Sequence, residues 1–168
     1  MFVSRNGNSF DLFEGKFRFL FRFWLSPPLN TYHQSLMARI LLVEDDEDNI
    51  GLLTRLLVHH GHTISVATDA ASAVEMAGEE LPELILMDLE LPPVPDGQPD
   101  PNAGLEATRK IKGSEKTASI PVIALTAHTM AQHQEKIAAA GCDAFQEKPI
   151  FPFENLLTKI VTYTAADA

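Results

Sequence analysis

Acidic side chains follow two short apolar runs of the 168-residue chain. Glu44 and Asp45 follow the run at residues 40–43, and Asp88 follows the run at residues 84–87. If the two runs are neighbouring strands, three carboxylates meet at one edge of a sheet, where their like charges repel unless a cation lies between them. Mg²⁺ accepts such ligands, typically one or two carboxylates with waters and phosphate oxygens. The spacing therefore predicts a magnesium site.

A hydroxyl and a fixed cation follow two further runs. Thr126 ends the run that begins at Val122, and Lys148 follows the weaker run at residues 143–146. No glycine-rich phosphate loop follows any of these runs, which disfavours a nucleotide-binding fold. A metal, a carboxylate nucleophile at Asp88, a hydroxyl and a cation suit phosphoryl transfer, in which catalysis is mostly positioning and charge neutralisation.

Helical patterns separate the apolar runs. Ile50, Leu53 and Leu57 form one apolar face of a helix over residues 47–60, which Gly61 ends. A second weak run lies at residues 63–67. The other predicted helices span residues 69–80, 104–112, 130–140 and 153–164.

This alternation predicts an α/β fold, a doubly wound five-stranded parallel sheet with helices on both faces. Three of the runs are continuously apolar, as expected of strands that are buried on both faces. The flavodoxin-like strand order 2-1-3-4-5 would make strands one and three neighbours. Ligands of such sheets bind beyond the carboxyl ends of the strands.

Composition and charge exclude several classes of protein. Hydrophobic residues make up 45% and charged residues 21%, which argues against wholesale disorder. The single cysteine excludes a disulfide framework and fits a reducing cytosol. The net charge of −10 argues against a sequence-independent grip on nucleic acid. No apolar run reaches the roughly 18 residues that a spanning helix needs.

A composition boundary lies near residue 37. Residues 1–36 carry four basic and two acidic groups and seven of the ten phenylalanines, whereas residues 37–168 carry nine basic and 21 acidic groups. We expect residues 37–168 to form one domain. Residues 1–36 are predicted to be an extension that is poorly ordered or that reflects a misassigned start. The alternatives are a basic, aromatic membrane-surface anchor and, less favoured because arginines interrupt the apolar run, a signal peptide.

Four motifs, ILLVEDDEDN, LILMDLELP, IPVIALTA and DAFQEKPI, resemble in order and spacing the receiver domain of two-component response regulators. The resemblance covers residues 38–164 and is greatest to single-domain regulators of the bacterial cell-cycle and polarity type and to receivers attached to hybrid kinases. It implies a cytoplasmic phosphoprotein that accepts a phosphoryl group from a histidine kinase or a phosphotransfer protein. Such a switch is not a general enzyme and catalyses only its own phosphoryl transfer and dephosphorylation.

The resemblance assigns roles to the residues of the predicted site. Asp88 matches the phosphoacceptor. Glu44 and Asp45 match the acidic pair that holds Mg²⁺, with Asp45 as the direct ligand and Glu44 acting partly through water. The main-chain carbonyl of Glu90 matches the third protein ligand, and Thr126 matches the switch hydroxyl.

Further roles follow from the same resemblance. Lys148 matches the family's lysine and is expected to precede a cis Pro149. Phe145 stands where these domains place a switch aromatic residue. Glu90 and His128, each two residues beyond a site residue, match positions that tune the rate of hydrolysis.

Output is expected through protein contacts. Phosphorylation would rearrange the face at residues 130–164, which would then bind a downstream protein. Neither a direct nucleic-acid contact nor an output domain is expected. Two alternatives remain: an aspartate-nucleophile phosphatase that uses Asp88 and Glu90, and a scaffold that kept the fold without the switch.

The sequence departs from the family pattern between Pro92 and Gly104, where about eight residues are inserted. The proline-rich insertion, residues 93–103, is expected to overhang the phosphorylation site. It is either a tolerated surface loop or a partner-specific element or lid.

Three other groups of residues have plain interpretations. His59, His60 and His62 are predicted to form a solvated helix end, His133 to be an exposed helix residue, and Cys142 to be a small packed residue.

Overall fold

The computed structural model describes residues 37–127 and 131–165. Within them, strands and helices alternate, and each element begins and ends within one residue of its predicted bounds. The elements are β1 Arg39–Val43, α1 Glu47–His59, β2 Thr63–Ala67, α2 Ala70–Glu80, β3 Leu84–Asp88, α3 Ala103–Gly113, β4 Val122–Thr126, α4 Ala131–Ala140, β5 Ala144–Glu147 and α5 Glu154–Thr164. The predicted extension at residues 1–36 and His128 lie outside the described residues.

The strands form one parallel sheet in the order β2-β1-β3-β4-β5, which confirms the predicted order. Val43 at the end of β1 pairs with Met87 of β3, so the residues that follow these two positions meet at the same edge. All residues of β3 and β4 are buried. This burial explains why the two strands are continuously apolar rather than alternating.

Two apolar layers cover the sheet. Ile40 and Leu42 of β1 pack with residues of α1 and α5, whereas Leu41 and Val43 pack with residues of α2 and α3. Successive side chains of a strand point to opposite faces, so one strand supplies both layers. The strand that leads to the acidic residues is thus packed on both faces.

Local caps set where the helices begin. The Asp46 side chain accepts a hydrogen bond from the Asn49 N–H at 2.8 Å and caps α1. The Asp69 side chain accepts from the N–H groups of Ala71 and Ser72 at 3.0 Å and caps α2. Asp46 follows Asp45 directly, so α1 begins immediately after the two acidic residues at the end of β1.

The prediction of a solvated histidine cluster is wrong for His62. This side chain is 5% exposed, and its Nδ1 accepts a hydrogen bond from the Ala38 N–H at 3.3 Å. Burial, together with the charge of His60, lowers the pKa of His62 below its ordinary value. His59 and His60 are exposed, as predicted. His62 is buried because the turn after α1 places it against Ala38, the residue before β1.

None of the helices in the described ranges is long and apolar enough to cross a membrane.

Candidate functional site at the carboxyl edge of the sheet

Three carboxylates meet beyond the ends of β1 and β3. One oxygen each of Glu44, Asp45 and Asp88 lies within 4.8 Å of the others. Glu44 is 1% exposed and Asp88 7%, whereas Asp45 is more accessible than Glu44. Adjacent strands bring these residues together, as the sequence predicted.

Lys148 bridges two of the carboxylates. Its Nζ donates to Glu44 Oε2 and to Asp88 Oδ2, each at 2.7 Å. The Lys148 N–H donates to the Thr126 carbonyl at 2.8 Å, which ties the end of β5 to the end of β4. The lysine therefore reaches the acidic edge from a fixed backbone position. The peptide bond between Lys148 and Pro149 is cis, as the resemblance implied.

The protonation equilibria of the site reflect burial and charge. Desolvation raises the pKa of Glu44, and the negative charge of Asp88 adds to it, against the opposing hydrogen bond from Lys148. Burial by itself would lower the pKa of Lys148, but its hydrogen bonds to Asp88 and Glu44 outweigh burial and raise that pKa. Asn49 Nδ2 also donates to Glu44 Oε1 at 3.2 Å. The lysine is thus held in its charged form beside Asp88.

The backbone around Asp88 is tightly packed. The Glu90 N–H donates to Asp88 Oδ1 at 3.2 Å. Gly104, the second residue of α3, approaches so closely that a Cβ there would overlap the Asp88 carbonyl oxygen and lie 2.7 Å from Leu89 Cα. The Gly104 N–H donates to the Leu89 carbonyl at 3.2 Å. Glycine is required because α3 rests directly on the end of β3.

These groups line an open cavity of about 480 Å³. Thr126, which is 3% exposed, and Glu90 contribute to its walls along with the acidic cluster and Lys148. The cavity can hold a small anionic group between a cation, a hydroxyl and a metal-binding cluster, which is the arrangement that phosphoryl transfer requires.

Sequence reasoning missed several residues of the cavity. His133, predicted to be an exposed helix residue, is half-buried and lines the cavity with Lys136 of the same helix. Asn49 of α1 also lines it. Helical periodicity identifies the face of a helix that packs on the core. It does not indicate which residues of that helix line a cavity at the end of the sheet.

The insertion lies beside the acidic cluster, at the edge of the sheet where the sequence predicts it. Pro99, Pro101 and Asn102 line the same cavity as Asp88. The insertion therefore adds a wall to the site that its regular strands and helices do not provide.

Phe145 packs against an apolar cluster that adjoins the cavity, because Leu89 belongs to both. It is half-buried and packs against a cluster that includes Leu89, Ala124 and Ile137. This cluster joins β4, which ends at Thr126, to α4.

The donor set fits magnesium. Mg²⁺ prefers oxygen ligands from one or two carboxylates, with waters and phosphate oxygens completing the shell. Glu44, Asp45 and Asp88 are an all-oxygen set. Glu44 accepts from Asn49 and Lys148, and Asp88 accepts from Lys148 and the Glu90 N–H. Asp45 is the most accessible of the three carboxylates and is therefore the best placed direct ligand.

Comparison with known proteins agrees with the geometry. A family model described as "Response regulator receiver domain" matches residues 40–161. The chain belongs to the response regulator receiver family. The polar-differentiation response regulator DivK of Brucella ovis is 38% identical over 111 residues, which are 66% of this chain and 84% of that protein.

Solved structures of receiver domains are also similar. The receiver domain of the sensor histidine kinase PA1611 from Pseudomonas aeruginosa is 29% identical, with a TM-score of 0.62 over 75% of this chain and 98% of that one. That structure holds a magnesium ion in its active-site cleft. The chemotaxis protein CheY4 of Vibrio cholerae shares the fold, with 22% identity, a TM-score of 0.65, and coverage of 76% of this chain and 98% of that one.

Family membership makes this chain a receiver domain of the two-component response regulators, similar in sequence to DivK. It also implies interaction with histidine kinases or phosphotransfer proteins.

Proposed function

We propose that this receiver domain accepts a phosphoryl group on Asp88 from a histidine kinase or phosphotransfer protein, in a Mg²⁺-dependent reaction. The observation that carries the proposal is the position of Asp88. It is the carboxylate at the end of the central strand, it contacts Lys148 at 2.7 Å, and it shares an acidic cluster with Glu44 and Asp45.

In the transfer, the bond between the donor nitrogen and phosphorus breaks and a bond between an Asp88 oxygen and phosphorus forms. The donor nitrogen keeps the electron pair of the broken bond. Lys148 stabilises the negative charge on the phosphoryl oxygens from a fixed position, so little reorganisation is needed during the reaction. Asp45, Asp88 and the Glu90 main-chain carbonyl would hold Mg²⁺, with Glu44 acting through water. Bound Mg²⁺ would supply charge neutralisation.

The conformational switch would involve Thr126 and Phe145, the residues that would respond to the phosphoryl group on Asp88. Thr126 at the end of β4 would donate its hydroxyl to the phosphoryl oxygens. The space vacated by Thr126 would be filled by Phe145, which packs against Ile137 of α4. The face at residues 130–164 would change and bind a downstream protein. A complete shift from 1:99 to 99:1 needs about 5.5 kcal/mol of differential binding, so a partial population shift is expected.

The proposal also covers the rate at which the aspartyl phosphate is hydrolysed and the compartment in which the switch works. Glu90, exposed at the cavity, and His128 would tune the hydrolysis of the aspartyl phosphate. The switch would catalyse only its own phosphorylation and dephosphorylation. It would work in the cytoplasm, without direct contact to nucleic acid.

The test is the intact mass of the full chain after incubation with Mg²⁺ and acetyl phosphate. We expect one phosphate adduct on the wild type and none on Asp88→Asn. Asp96→Asn, the same change at an exposed carboxylate of the insertion, should be phosphorylated like the wild type. An adduct that persists on Asp88→Asn, or a wild type that takes none, would contradict the proposal.

A further inference from the structure

The insertion forms one wall of the phosphorylation cavity with Pro99, Pro101 and Asn102, of which the two prolines are apolar. Pro99 and Pro101 face the same cavity as Asp88, and both are exposed to solvent. Charged residues stand elsewhere on the rim, among them Glu90 and Lys136. A donor that enters the cavity thus meets an apolar surface on one side and charged groups on others.

Hydrogen bonds close the base of the insertion. The Asp100 N–H donates to the Leu91 carbonyl at 2.8 Å, and the Leu91 N–H donates to the Asp100 carbonyl at 3.3 Å. The Leu91 side chain is fully buried, and the Pro92 carbonyl accepts from the Ala70 N–H at 2.9 Å. The base is therefore anchored both in the core and at the start of α2.

The returning segment is continuous with α3. Asp100 Oδ1 accepts from the Asn102 N–H at 2.8 Å, and the Asp100 carbonyl accepts from the Ala103 N–H at 3.1 Å. Gly104 then packs against the Asp88 backbone. This chain of contacts sets the positions of Pro99 and Pro101 relative to the phosphoacceptor.

The chemistry of this wall suits an aromatic leaving group. A proline has no N–H to donate and a restricted φ, so Pro99 and Pro101 offer rigid, apolar ring surfaces. In phosphohistidine the leaving group is an imidazole, a flat ring, whereas in acetyl phosphate it is a small charged carboxylate. Only the ring gains from apolar contact at the rim.

We propose that Pro99 and Pro101 form a seat for the imidazole ring of the phosphodonor and thereby select phosphohistidine-type donors over small acyl phosphates. The proposal rests on Asp88 being the phosphoacceptor. In the step, the phosphorus–nitrogen bond breaks as the bond from phosphorus to the Asp88 oxygen forms. The donor reacts with its other ring nitrogen protonated, the nitrogen bonded to phosphorus keeps the electron pair of the broken bond, and the donor leaves as a neutral imidazole that retains that proton.

The tip of the insertion offers a matched control. Val94 is 53% exposed and does not line the cavity. The Gly97 N–H donates to the Val94 carbonyl at 3.0 Å, and Asp96 has a φ of +58°, so the tip is a tight turn of its own. Val94→Ser alters the insertion without touching the wall.

The experiment compares two donors, phosphoimidazole and acetyl phosphate, on the full chain with Mg²⁺. Phosphorylation rates are followed by intact mass over a range of donor concentrations. The variants are Pro99→Ser combined with Pro101→Ser, and a chain in which Asn-Gly replaces residues 93–99. We expect the ratio of the phosphoimidazole rate constant to that of acetyl phosphate to fall roughly fivefold in both, as a small apolar contact is lost. Val94→Ser should keep the wild-type ratio.

The outcomes separate the two proposals. An unchanged ratio of the two rate constants, including one in which both rates fall equally, would overturn the imidazole seat. It would leave Asp88 as the acceptor. A wild type that takes a phosphate from neither donor would overturn both. If the shortened chain does not fold, as judged by circular dichroism, the double proline variant decides the question.

Discussion

Each edge of the sheet holds a lysine that contacts a carboxylate at nearly the same distance. At the carboxyl edge, Lys148 Nζ lies 2.7 Å from Glu44 and from Asp88. At the amino edge, Lys112 Nζ lies 2.8 Å from Asp143 Oδ2. By distance alone, the two ion pairs are indistinguishable.

Their surroundings differ. At the amino edge, Lys112 also donates to the Ile120 carbonyl at 2.8 Å, and Asp143 Oδ2 accepts from the Val122 N–H at 2.8 Å, so one cation balances one anion. At the carboxyl edge, one lysine faces three carboxylates beside a cavity. The distance between the charged atoms does not distinguish the two sites. An excess of carboxylates beside a cavity marks the binding site at Lys148, whereas a balanced ion pair without such an excess marks the structural ion pair of Lys112.

The largest expected effect separates the two lysines. Lys148→Met should slow phosphorylation by acetyl phosphate roughly hundredfold, because a preorganised cation at the phosphoryl oxygens is lost. Lys112→Met should leave that rate unchanged and lower the free energy of unfolding by about 1 kcal/mol, because the Ile120 carbonyl and the Asp143 carboxylate lose their donor. Intact-mass kinetics and urea denaturation measure the two quantities. Similar kinetic losses in both variants would remove the distinction between the edges.

A second test uses the two ends of α3. Gly104→Ala should lower the free energy of unfolding by about 3 kcal/mol, since the new Cβ overlaps the Asp88 carbonyl. Gly113→Ala, with no atom within 4 Å of the new Cβ, should stabilise by about 0.5 kcal/mol. Thermal and urea unfolding check both values. Equal stabilities would show that α3 is not seated against β3 as described.

A third test compares neighbouring acids. Asp45→Asn should weaken Mg²⁺ binding about tenfold, because a charged ligand of a hard cation becomes neutral. Asp46→Asn should leave it unchanged, because Asp46 caps α1 and asparagine caps equally well. Isothermal titration of the full chain with Mg²⁺ measures both. Equal weakening by the two variants would indicate a general charge effect rather than ligation.

The smallest effect concerns pH at the amino edge. The folded state depresses the pKa of His62 below its ordinary value of 6.5, so the unfolded chain binds the proton more readily. Stability is therefore full above that value and falls as the pH drops below it. His62→Gln should flatten the fall in stability between about pH 7 and pH 5, whereas exposed His59→Gln should not. A wild-type stability that rises on acidification would contradict this assignment.

The carboxyl edge was largely predictable from the sequence. Apolar runs define the strands, and in a parallel sheet the residues that follow them must share one edge. Glu44, Asp45, Asp88 and Lys148 could be brought together on that ground before any coordinates.

The remaining features depend on distances between elements that no local pattern records. His62 is buried because a turn returns it to Ala38. His133 lines the cavity because of the position of α4 relative to the ends of the strands. The hydrogen bond from Lys112 to the Ile120 carbonyl depends on the conformation of the loop before β4. Helical or strand periodicity carries none of this information.

The most direct test of the central claim is to locate the phosphoryl group. The full chain is phosphorylated with Mg²⁺ and acetyl phosphate, reduced with borohydride, which converts an aspartyl phosphate to homoserine, and sequenced as peptides by mass spectrometry. The account predicts homoserine at position 88 and at no other acidic position. Homoserine at Asp45 or Asp46 instead, or an unmodified Asp88 in a chain that carries the phosphate, would contradict it.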